Sequence, residues 1–455
     1  MNKAFLSLDI LFLFIFSACS FAPKYNRPVV RLPEKKVKTK VNFELSYWWL
    51  RFHDKELNYL IKTALRNNDD LLLAYEKINE IRAAYNLASA SLYPSLNASA
   101  KAYRIKNAEL LDVQDTFNDF SLLASLSYDL DLFGKLKNQK KAELARLLAQ
   151  KYYAKAIRIN LISEVAITYF KICEVNKEID ILHRIIAQSL RALSYREREY
   201  KNGLINKIVI QQERLALDND KIYLESLIEQ RGILYDRLSF LLGKEPRDIF
   251  LSRYDFIALP NPLSLPPFLP STVLEKRPDI LQAQEMLKAA NFEIGVARAR
   301  YFPDISLTGV LGFESRELSN LLKHASSFWN IGGNISTPIF DFGRIKSNID
   351  IAKSQKKQAI FRYIRTVKNA FKEIHDVLLH LSSIKRQIEI QQDQINSYKK
   401  ILCALKVQYQ NGLVSYIKII YAQKDLEYAL IKLTSLKSRY LSQQVLLYKA
   451  LGGGW

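Results

Sequence analysis

Residues 345–410 read IKSNIDIAKSQKKQAIFRYIRTVKNAFKEIHDVLLHLSSIKRQIEIQQDQINSYKKILCALKVQYQ, without a glycine or proline. Two rows of mostly apolar residues recur here at every seventh position. The first row is Ile360, Val367, Ile374, Leu381, Ile388, Ile395, Leu402 and Tyr409, and the second is Tyr363, Ala370, Val377, Ile384, Gln391, Tyr398 and Leu405. The spacing predicts one helix of about 65 residues, about 100 Å long at 1.5 Å per residue. Its 3.5-residue period predicts left-handed packing on partner helices, and a long coiled coil without a channel would satisfy it.

The chain contains two copies of one unit. Tyr200-Lys-Asn-Gly-Leu204 matches Tyr409-Gln-Asn-Gly-Leu413, and Phe133-Gly-Lys135 matches Phe342-Gly-Arg344, in each case 209 residues apart. The same offset relates Asp70 to Asp279, Pro94 to Pro303, Gly134 to Gly343 and Gly243 to Gly452. Agreement at separate points without a relative insertion identifies a tandem duplication.

Each copy has the same predicted order of elements. A helix of about 25 residues precedes two strands, and these lead into the long helix, an Asn-Gly turn and a helix of about 40 residues. The two shorter helices together match the long one in length, so we expect them to stack end to end beside it. The first repeat is predicted over 47–243 and the second over 277–455, with a proline-rich linker at 244–276.

Four runs between the helices alternate apolar and polar residues. The predicted strands lie at about 95–107, 119–132, 303–315 and 327–341, and the phase of the first slips at Tyr103. Such runs are typical of a half-buried sheet, or of a membrane barrel with its apolar side towards lipid. Four strands cannot close a barrel, so a barrel requires several copies of the chain, with about 8, 12 or 16 strands in all.

The N-terminus predicts export from the cytoplasm. Lys3 is followed by an apolar run and then by Phe16-Ser-Ala-Cys19, an arrangement that resembles a bacterial lipobox. We predict a signal peptide at 1–18, a diacylated Cys19 and a lipidated linker at 19–46; an ordinary signal or an uncleaved anchor are the alternatives. Ser20 after the cysteine implies sorting to the outer membrane. No later run of about 18 apolar residues predicts a transmembrane helix.

The composition offers little for catalysis. The formal net charge of +21 invites a nucleic-acid-binding hypothesis, but the basic residues are spread along the helices among 46 acidic ones, as on a solvated face. The five histidines fit no metal-binding spacing, and no phosphate-binding glycine-rich loop is present. Three cysteines form no disulfide framework. We therefore predict no enzyme activity, no metal, no cofactor and no nucleic-acid partner.

Several short motifs, in order and spacing, resemble the TolC family of outer-membrane efflux proteins, in its NodT-type lipoprotein subgroup. They are Cys19 with Pro23–Pro28, Leu92-Tyr-Pro-Ser-Leu96, Tyr128-Asp-Leu-Asp-Leu-Phe-Gly-Lys135, Arg277-Pro-Asp-Ile280, Ile294-Gly-Val-Ala-Arg-Ala299, Phe302-Pro303, Pro338-Ile-Phe-Asp341, Asn411-Gly-Leu-Val-Ser415 and Leu451-Gly-Gly-Gly-Trp455. The resemblance implies a mainly helical fold with a membrane β-barrel, in a homotrimer whose twelve strands form the barrel in outer-membrane lipid. It also implies a passive exit duct in a tripartite export system, which receives substrates from an inner-membrane pump and a periplasmic adaptor.

The same resemblance assigns roles to the two turns between helices. The residues expected to contact the adaptor at the periplasmic tip are Asn202, Gly203, Leu204, Asn411, Gly412 and Leu413. The residues expected near a gate are Tyr200, Asn206, Tyr409 and Ser415. Relatives often carry an acidic residue beside this turn, where this chain has Asn206 and Ser415. The competing hypotheses are a secreted coiled-coil structural protein without a pore and a basic nucleic-acid-binding scaffold.

Overall fold

The computed structural model describes residues 21–28, 30, 47–106, 116–246 and 276–453. The chain divides into two compact units. Within the described ranges, the first unit contains residues 21–28 and 30, 76–152 and 281–365, and the second contains 47–75, 153–280 and 366–453. The predicted signal peptide at 1–18, Cys19 and most of the predicted linker at 244–276 lie outside the described residues.

Seven α-helices lie in the described part of the chain. They are α1 (Lys55–Asn67), α2 (Asp69–Ala90), α3 (Lys135–Lys201), α4 (Lys207–Leu241), α5 (Pro278–Ala299), α6 (Arg344–Gln410) and α7 (Tyr416–Ala450). The pairs α2 and α5, α3 and α6, and α4 and α7 have 22, 67 and 35 residues respectively. Both ends of each pair differ by the 209 residues found in the sequence, so the tandem duplication and the long helices are confirmed.

The second apolar row of α6 is the better buried of its two rows. Tyr363, Ala370 and Ile384 are buried, whereas Ile360 and Leu381 of the first row are only half-buried. The polar member of the second row, Gln391, is also buried, and its side-chain amide donates a hydrogen bond to the Ala429 carbonyl at 3.2 Å. A polar side chain is tolerated inside this seam because it has a partner.

The first unit contains one antiparallel sheet in the order β1-β2-β3-β4. Its strands are β1 (Ser95–Lys106), β2 (Thr116–Leu130), β3 (Asp304–Ser315) and β4 (Ser327–Ser336). β1 pairs with β2 without a break from Ser95 to Lys106, so the change of phase at Tyr103 moves the apolar residues to the other face of the strand and does not interrupt it. β4 ends earlier than the alternation indicates, shortly before Pro338, which has no N–H to donate.

In the second unit, the shorter helices of each repeat meet end to end, as expected from their lengths. The Asn68 side chain, ahead of α2, donates to the Leu241 carbonyl at the end of α4 over 3.1 Å. Its oxygen accepts the Leu71 N–H at 3.1 Å and so caps α2. In the second repeat, Arg277 donates in the same way to the Ala450 carbonyl at the end of α7, over 2.8 Å.

Residues 48–67 were predicted to belong to the first repeat, without an assigned role, and they form a large part of the core of this unit. Trp48 is fully buried and stacks on Tyr448, with ring centroids 5.0 Å apart. Asp54 caps α1 by accepting two backbone N–H groups, and it also accepts the Tyr169 hydroxyl at 2.7 Å. This segment therefore joins the start of the first repeat to α3 and α7.

Among the described residues, no helix combines the length and apolarity that a membrane crossing requires.

Candidate functional site

The turn between α3 and α4 is closed by its own backbone. Gly203 has φ 71, a conformation that glycine adopts at little cost. Its N–H donates to the Tyr200 carbonyl, and the Leu204 N–H donates to the Glu199 carbonyl, both at 2.9 Å. This pair of hydrogen bonds satisfies the last carbonyls of α3, as in a Schellman motif. Asn206 then caps α4 by accepting the Val209 N–H at 3.3 Å.

The turn between α6 and α7 has the same geometry. Gly412 has φ 74, and its N–H donates to the Tyr409 carbonyl at 2.9 Å. The Leu413 N–H donates to the Gln408 carbonyl at 2.9 Å. The two Asn-Gly-Leu turns are therefore two copies of one backbone shape, as the sequence predicted.

Both turns present the same apolar side chain to solvent. Leu204 is 71% exposed and Leu413 is 72% exposed. A Cβ added at Gly203 or Gly412 would meet no other atom within 4 Å, so the surface beside each glycine is open. Exposed leucines next to uncovered backbone are suited to contact with another protein.

The residues predicted near a gate differ in their surroundings. Tyr200 and Tyr409 are each 44% exposed, and the Tyr409 ring lies 5.4 Å from that of Tyr416. The Ser415 hydroxyl is hydrogen-bonded to the Tyr195 hydroxyl at 2.8 Å, which joins the start of α7 to α3. Asn206 and Ser415 therefore both have structural contacts in this conformation.

Two polar layers, which the sequence analysis missed, lie next to these turns in the second unit. In the tip layer, the buried Glu213 of α4 accepts the Tyr421 hydroxyl of α7. Arg196 of α3 completes this layer, with its guanidinium 3.9 Å from Glu213 and 3.5 Å from the Tyr421 hydroxyl. The layer thus joins both helices of the first hairpin to the returning helix of the second.

The second layer lies one heptad further from the turn. Asp220 of α4, only 4% exposed, accepts the Ser189 hydroxyl of α3 at 2.6 Å. It also accepts the Lys424 ammonium of α7 at 3.2 Å and the Tyr428 hydroxyl. The sequence signal for these layers was the spacing of seven residues between Glu213 and Asp220, and between Tyr421 and Tyr428. It was missed because charged residues on a long helix usually form a solvent-exposed face.

The environment of these layers favours one protonation state for the tyrosines. Burial raises the pKa of Tyr421, and the Glu213 carboxylate adds to the effect. Burial also raises the pKa of Tyr428, which bonds to Asp220. Both phenols therefore remain donors at neutral pH.

A buried acidic pair lies further along α3. Burial raises the pKa of Glu178 to about 7, and the neighbouring Glu174 carboxylate adds to the effect. Lys171 acts in the opposite direction and donates to Glu174 at 2.8 Å. Glu178 therefore changes its charge near neutral pH.

The described residues that follow Cys19 pack against the other segments of the first unit. Phe21 stacks on Phe302, with ring centroids 4.4 Å apart, and the Pro23 carbonyl accepts the Asn291 amide at 2.7 Å. A Cβ at Gly295 would lie 2.9 Å from Ala22, so glycine leaves room for this segment. Cys19 itself lies outside the described residues, and its lipidation stays a prediction.

Within the described ranges, no group of three or more His, Cys, Asp or Glu residues is arranged to hold a metal ion. The geometry of these ranges defines a class of protein, which has duplicated long-helix hairpins, exposed turns, and a four-stranded sheet whose edge strands β1 and β4 pair with no other described strand.

Comparison with known proteins identifies the family. Residues 60–244 and 269–453 match the outer membrane efflux protein family. The cation efflux system protein CusC of Escherichia coli is 33% identical over 446 residues, which cover 96% of each chain. The probable outer membrane lipoprotein SilC of Salmonella typhimurium is 32% identical over 466 residues, which cover 98% of each chain. The crystal structure of the Campylobacter jejuni CmeC outer membrane channel aligns with a TM-score of 0.86 at 30% identity, covering 96% of this chain and 95% of that one. The protein belongs to the outer membrane efflux protein family.

Proposed function

We propose that this outer-membrane efflux protein is the exit channel of a three-part export system, in which a homotrimer receives substrates from an inner-membrane pump through a periplasmic adaptor. The observation that carries the proposal is the four-stranded sheet, in which β1 and β4 each pair with only one other strand among the described residues, together with the duplicated helical hairpins. The family match over both repeats agrees with this arrangement.

The free edges support assembly from several copies. β1 is exposed along almost its whole length, and β4 is exposed at every residue except Phe328. Unpaired edge groups cannot face the hydrocarbon core of a membrane, because no water is present there to satisfy them. Three chains would supply twelve strands, enough for a closed barrel with a lumen.

The two equivalent turns support a repeated docking site for the adaptor. Leu204 and Leu413 project next to backbone that no side chain covers, and each trimer would present this motif six times. An adaptor with one recognition surface would then bind either repeat.

The polar layers support a closed conformation that holds α7 against the first hairpin. Opening would separate the helices at the turns, and it would have to break the contacts of Glu213 and Asp220 as well as the Tyr195–Ser415 hydrogen bond. The predicted gate residues Tyr200, Asn206, Tyr409 and Ser415 remain proposals on this basis. Substrate would pass without chemical change.

The test is substrate efflux in the native host. Deletion of the gene should raise the intracellular accumulation of a fluorescent pump substrate, and the wild-type chain should restore efflux. Gly203→Trp or Gly412→Trp should assemble normally in the outer membrane but restore efflux poorly, since the indole covers the docking surface. Gly203→Ala is the matched control, because it carries the same backbone strain without the bulk.

Unchanged accumulation after deletion would contradict the export function. Recovery of the wild-type chain in the soluble fraction after signal removal would favour the alternative, a secreted coiled-coil protein without a pore. Full efflux by the tryptophan variants at normal protein levels would contradict docking at the turns.

A further inference from the structure

The two faces of the sheet in the first unit differ in charge. Strand pairing places Ala98, Ala124, Leu311 and Trp329 in one row across the four strands. Since side chains alternate along a strand, every residue in step with this row lies on the same face, the apolar face. Its large apolar members include Leu122, Leu126, Leu130, Ile305, Leu307, Phe313, Ile331 and Ile335. The acidic residues of the four strands, Asp119, Asp129, Asp304 and Glu314, all lie on the opposite, polar face.

Two cations stand at one end of the apolar face. Arg104 lies opposite Asn118 and Lys106 lies opposite Thr116, all in step with the apolar row and all exposed. The other basic residue within the four strands, Lys101, belongs to the polar face. The apolar face therefore ends in a patch of two cations and two hydrogen-bonding side chains, the strand-end patch, which shares its face with no strand carboxylate.

The strand-end patch is confined to the first hairpin. The two hairpins pair in the same register after the repeat offset of 209. The equivalent of the Arg104–Asn118 pair is the uncharged Phe313–Ser327 pair. A hairpin of this register therefore pairs without a cation at this position, which favours a binding role for the charges of the first hairpin.

The length of the apolar face places the patch relative to a membrane. On β2 it runs from Phe120 to Leu130, a height of about 26 Å at about 3.4 Å per residue and a tilt of about 40°. The apolar band of outer-membrane barrels is similar, about 25 Å tall. Ala102 pairs with Phe120, so Arg104 and Lys106 lie beyond the band, about 5 Å and about 10 Å further along its height. The helices join the strands at the opposite end of the sheet.

Resting on the proposed channel, whose helices extend into the periplasm, we propose that the strand-end patch binds a phosphate group of the phosphorylated glycolipid in the outer leaflet. The Arg104 guanidinium can donate two parallel hydrogen bonds to a phosphate, and Lys106 adds a second positive charge. The Asn118 amide and the Thr116 hydroxyl are further donors beside them. The acyl chains of the same lipid would lie along the apolar face.

A lipid titration of the full-length lipidated trimer in mild detergent, followed by native mass spectrometry, tests the proposal. The probe is bis-phosphorylated lipid A, and the mass of each variant reports its assembly. Each basic residue near a phosphorylated lipid surface contributes about fivefold to binding, so Arg104→Gln/Lys106→Gln should bind lipid A about 25-fold more weakly. Phosphatidylglycerol, with one phosphodiester charge, should bind the wild-type trimer more weakly than lipid A does.

Lys101→Gln/Arg316→Gln is the matched control, because it removes the same charge from the other side of the sheet. The Arg316 guanidinium lies 5.0 Å from the centre of the Phe117 ring, and Phe117 alternates onto the polar face. The lipid A affinity of this control should equal that of the wild-type trimer. Arg104→Lys keeps the charge but loses the paired donors, so its affinity should be intermediate.

The outcomes separate the lipid site from the function. Equal lipid A affinity of the wild-type and Arg104→Gln/Lys106→Gln trimers would overturn the proposal. An equal loss in the Lys101→Gln/Arg316→Gln control would also overturn it, because net charge alone would then decide binding. Equal or tighter binding of phosphatidylglycerol would overturn the assignment to the glycolipid. Arg104→Gln/Lys106→Gln should still restore efflux, whereas absence of both trimer and efflux in the unmodified protein would refute the proposed function instead.

Discussion

Removal of the Asp220 carboxylate should loosen α7 from the first hairpin near the turns. Asp220→Ala removes the acceptor for Ser189 at 2.6 Å, for Lys424 at 3.2 Å and for Tyr428. The Lys424 side chain is only 12% exposed, so the substitution leaves a mostly buried ammonium without its counter-charge. Loss of one partner of a buried ion pair typically costs about 3–5 kcal/mol.

A loss of about 3 kcal/mol corresponds to a change of roughly 100-fold in a local opening equilibrium. Hydrogen–deuterium exchange of the trimer should therefore show markedly faster exchange of backbone amides around residues 213–228 and 416–430. Asp220→Asn keeps the volume and an acceptor but loses the charge, so its effect should be intermediate. The exchange of residues 281–299 of α5, which belong to the other unit, should not change.

Exchange near these residues that matches the wild-type protein, in a correctly assembled Asp220→Ala trimer, would refute the reasoning. The second polar layer would then be incidental to the attachment of α7. Faster exchange throughout the protein would also refute it, because the loss of stability would be global.

Three further predictions concern single residues, two of them from local geometry and one from the lipobox sequence. Gly243→Ala should lower the melting temperature of the detergent-solubilised trimer more than Gly203→Ala does. Both sites have a positive φ, which costs about 1 kcal/mol for alanine. Only at Gly243 would the added Cβ also clash, since it would lie 2.2 Å from the Asn67 carbonyl oxygen. Equal decreases in melting temperature for the two variants would contradict this prediction. Glu178→Gln should stabilise the protein by up to about 3 kcal/mol at pH 8, with a gain that fades on acidification to pH 5. Because the pKa of Glu178 in the folded protein is about 7, above the ordinary carboxyl value, the wild-type protein loses stability as the pH rises from that ordinary value to about 7. A stability gain of Glu178→Gln that is independent of pH would contradict the burial of this carboxyl. Cys19→Ala should abolish labelling with radioactive palmitate, and persistent labelling would show that the lipobox prediction is wrong.

The long helices and the duplication were predictable because both leave periodic signals in the sequence. A row of apolar residues at every seventh position requires no knowledge of the partner helix. The offset of 209 fixes equivalent bounds for α3 and α6 even though their individual residues differ. The alternation of β2 and β3 was readable for the same reason.

The polar layers were not predictable, because their meaning depends on which helices are neighbours. Glu213 and Asp220 look like ordinary solvent-facing acids until α7 places Tyr421 and Tyr428 beside them. The role of Trp48 was also hidden, since its partner Tyr448 is 400 residues further along the chain. Phe342 is likewise 91% exposed, whereas Phe133 at the equivalent place in the first repeat stacks on Phe302, a difference that arises from packing.

The central claim is that the four strands of one chain cannot close a barrel, and that the twelve strands of three chains can. The most direct measurement is the native mass of the complex extracted from the outer membrane in mild detergent. The account predicts a particle with three times the mass of the mature lipidated chain. A particle with the mass of one chain would contradict the account, because four strands cannot enclose a channel.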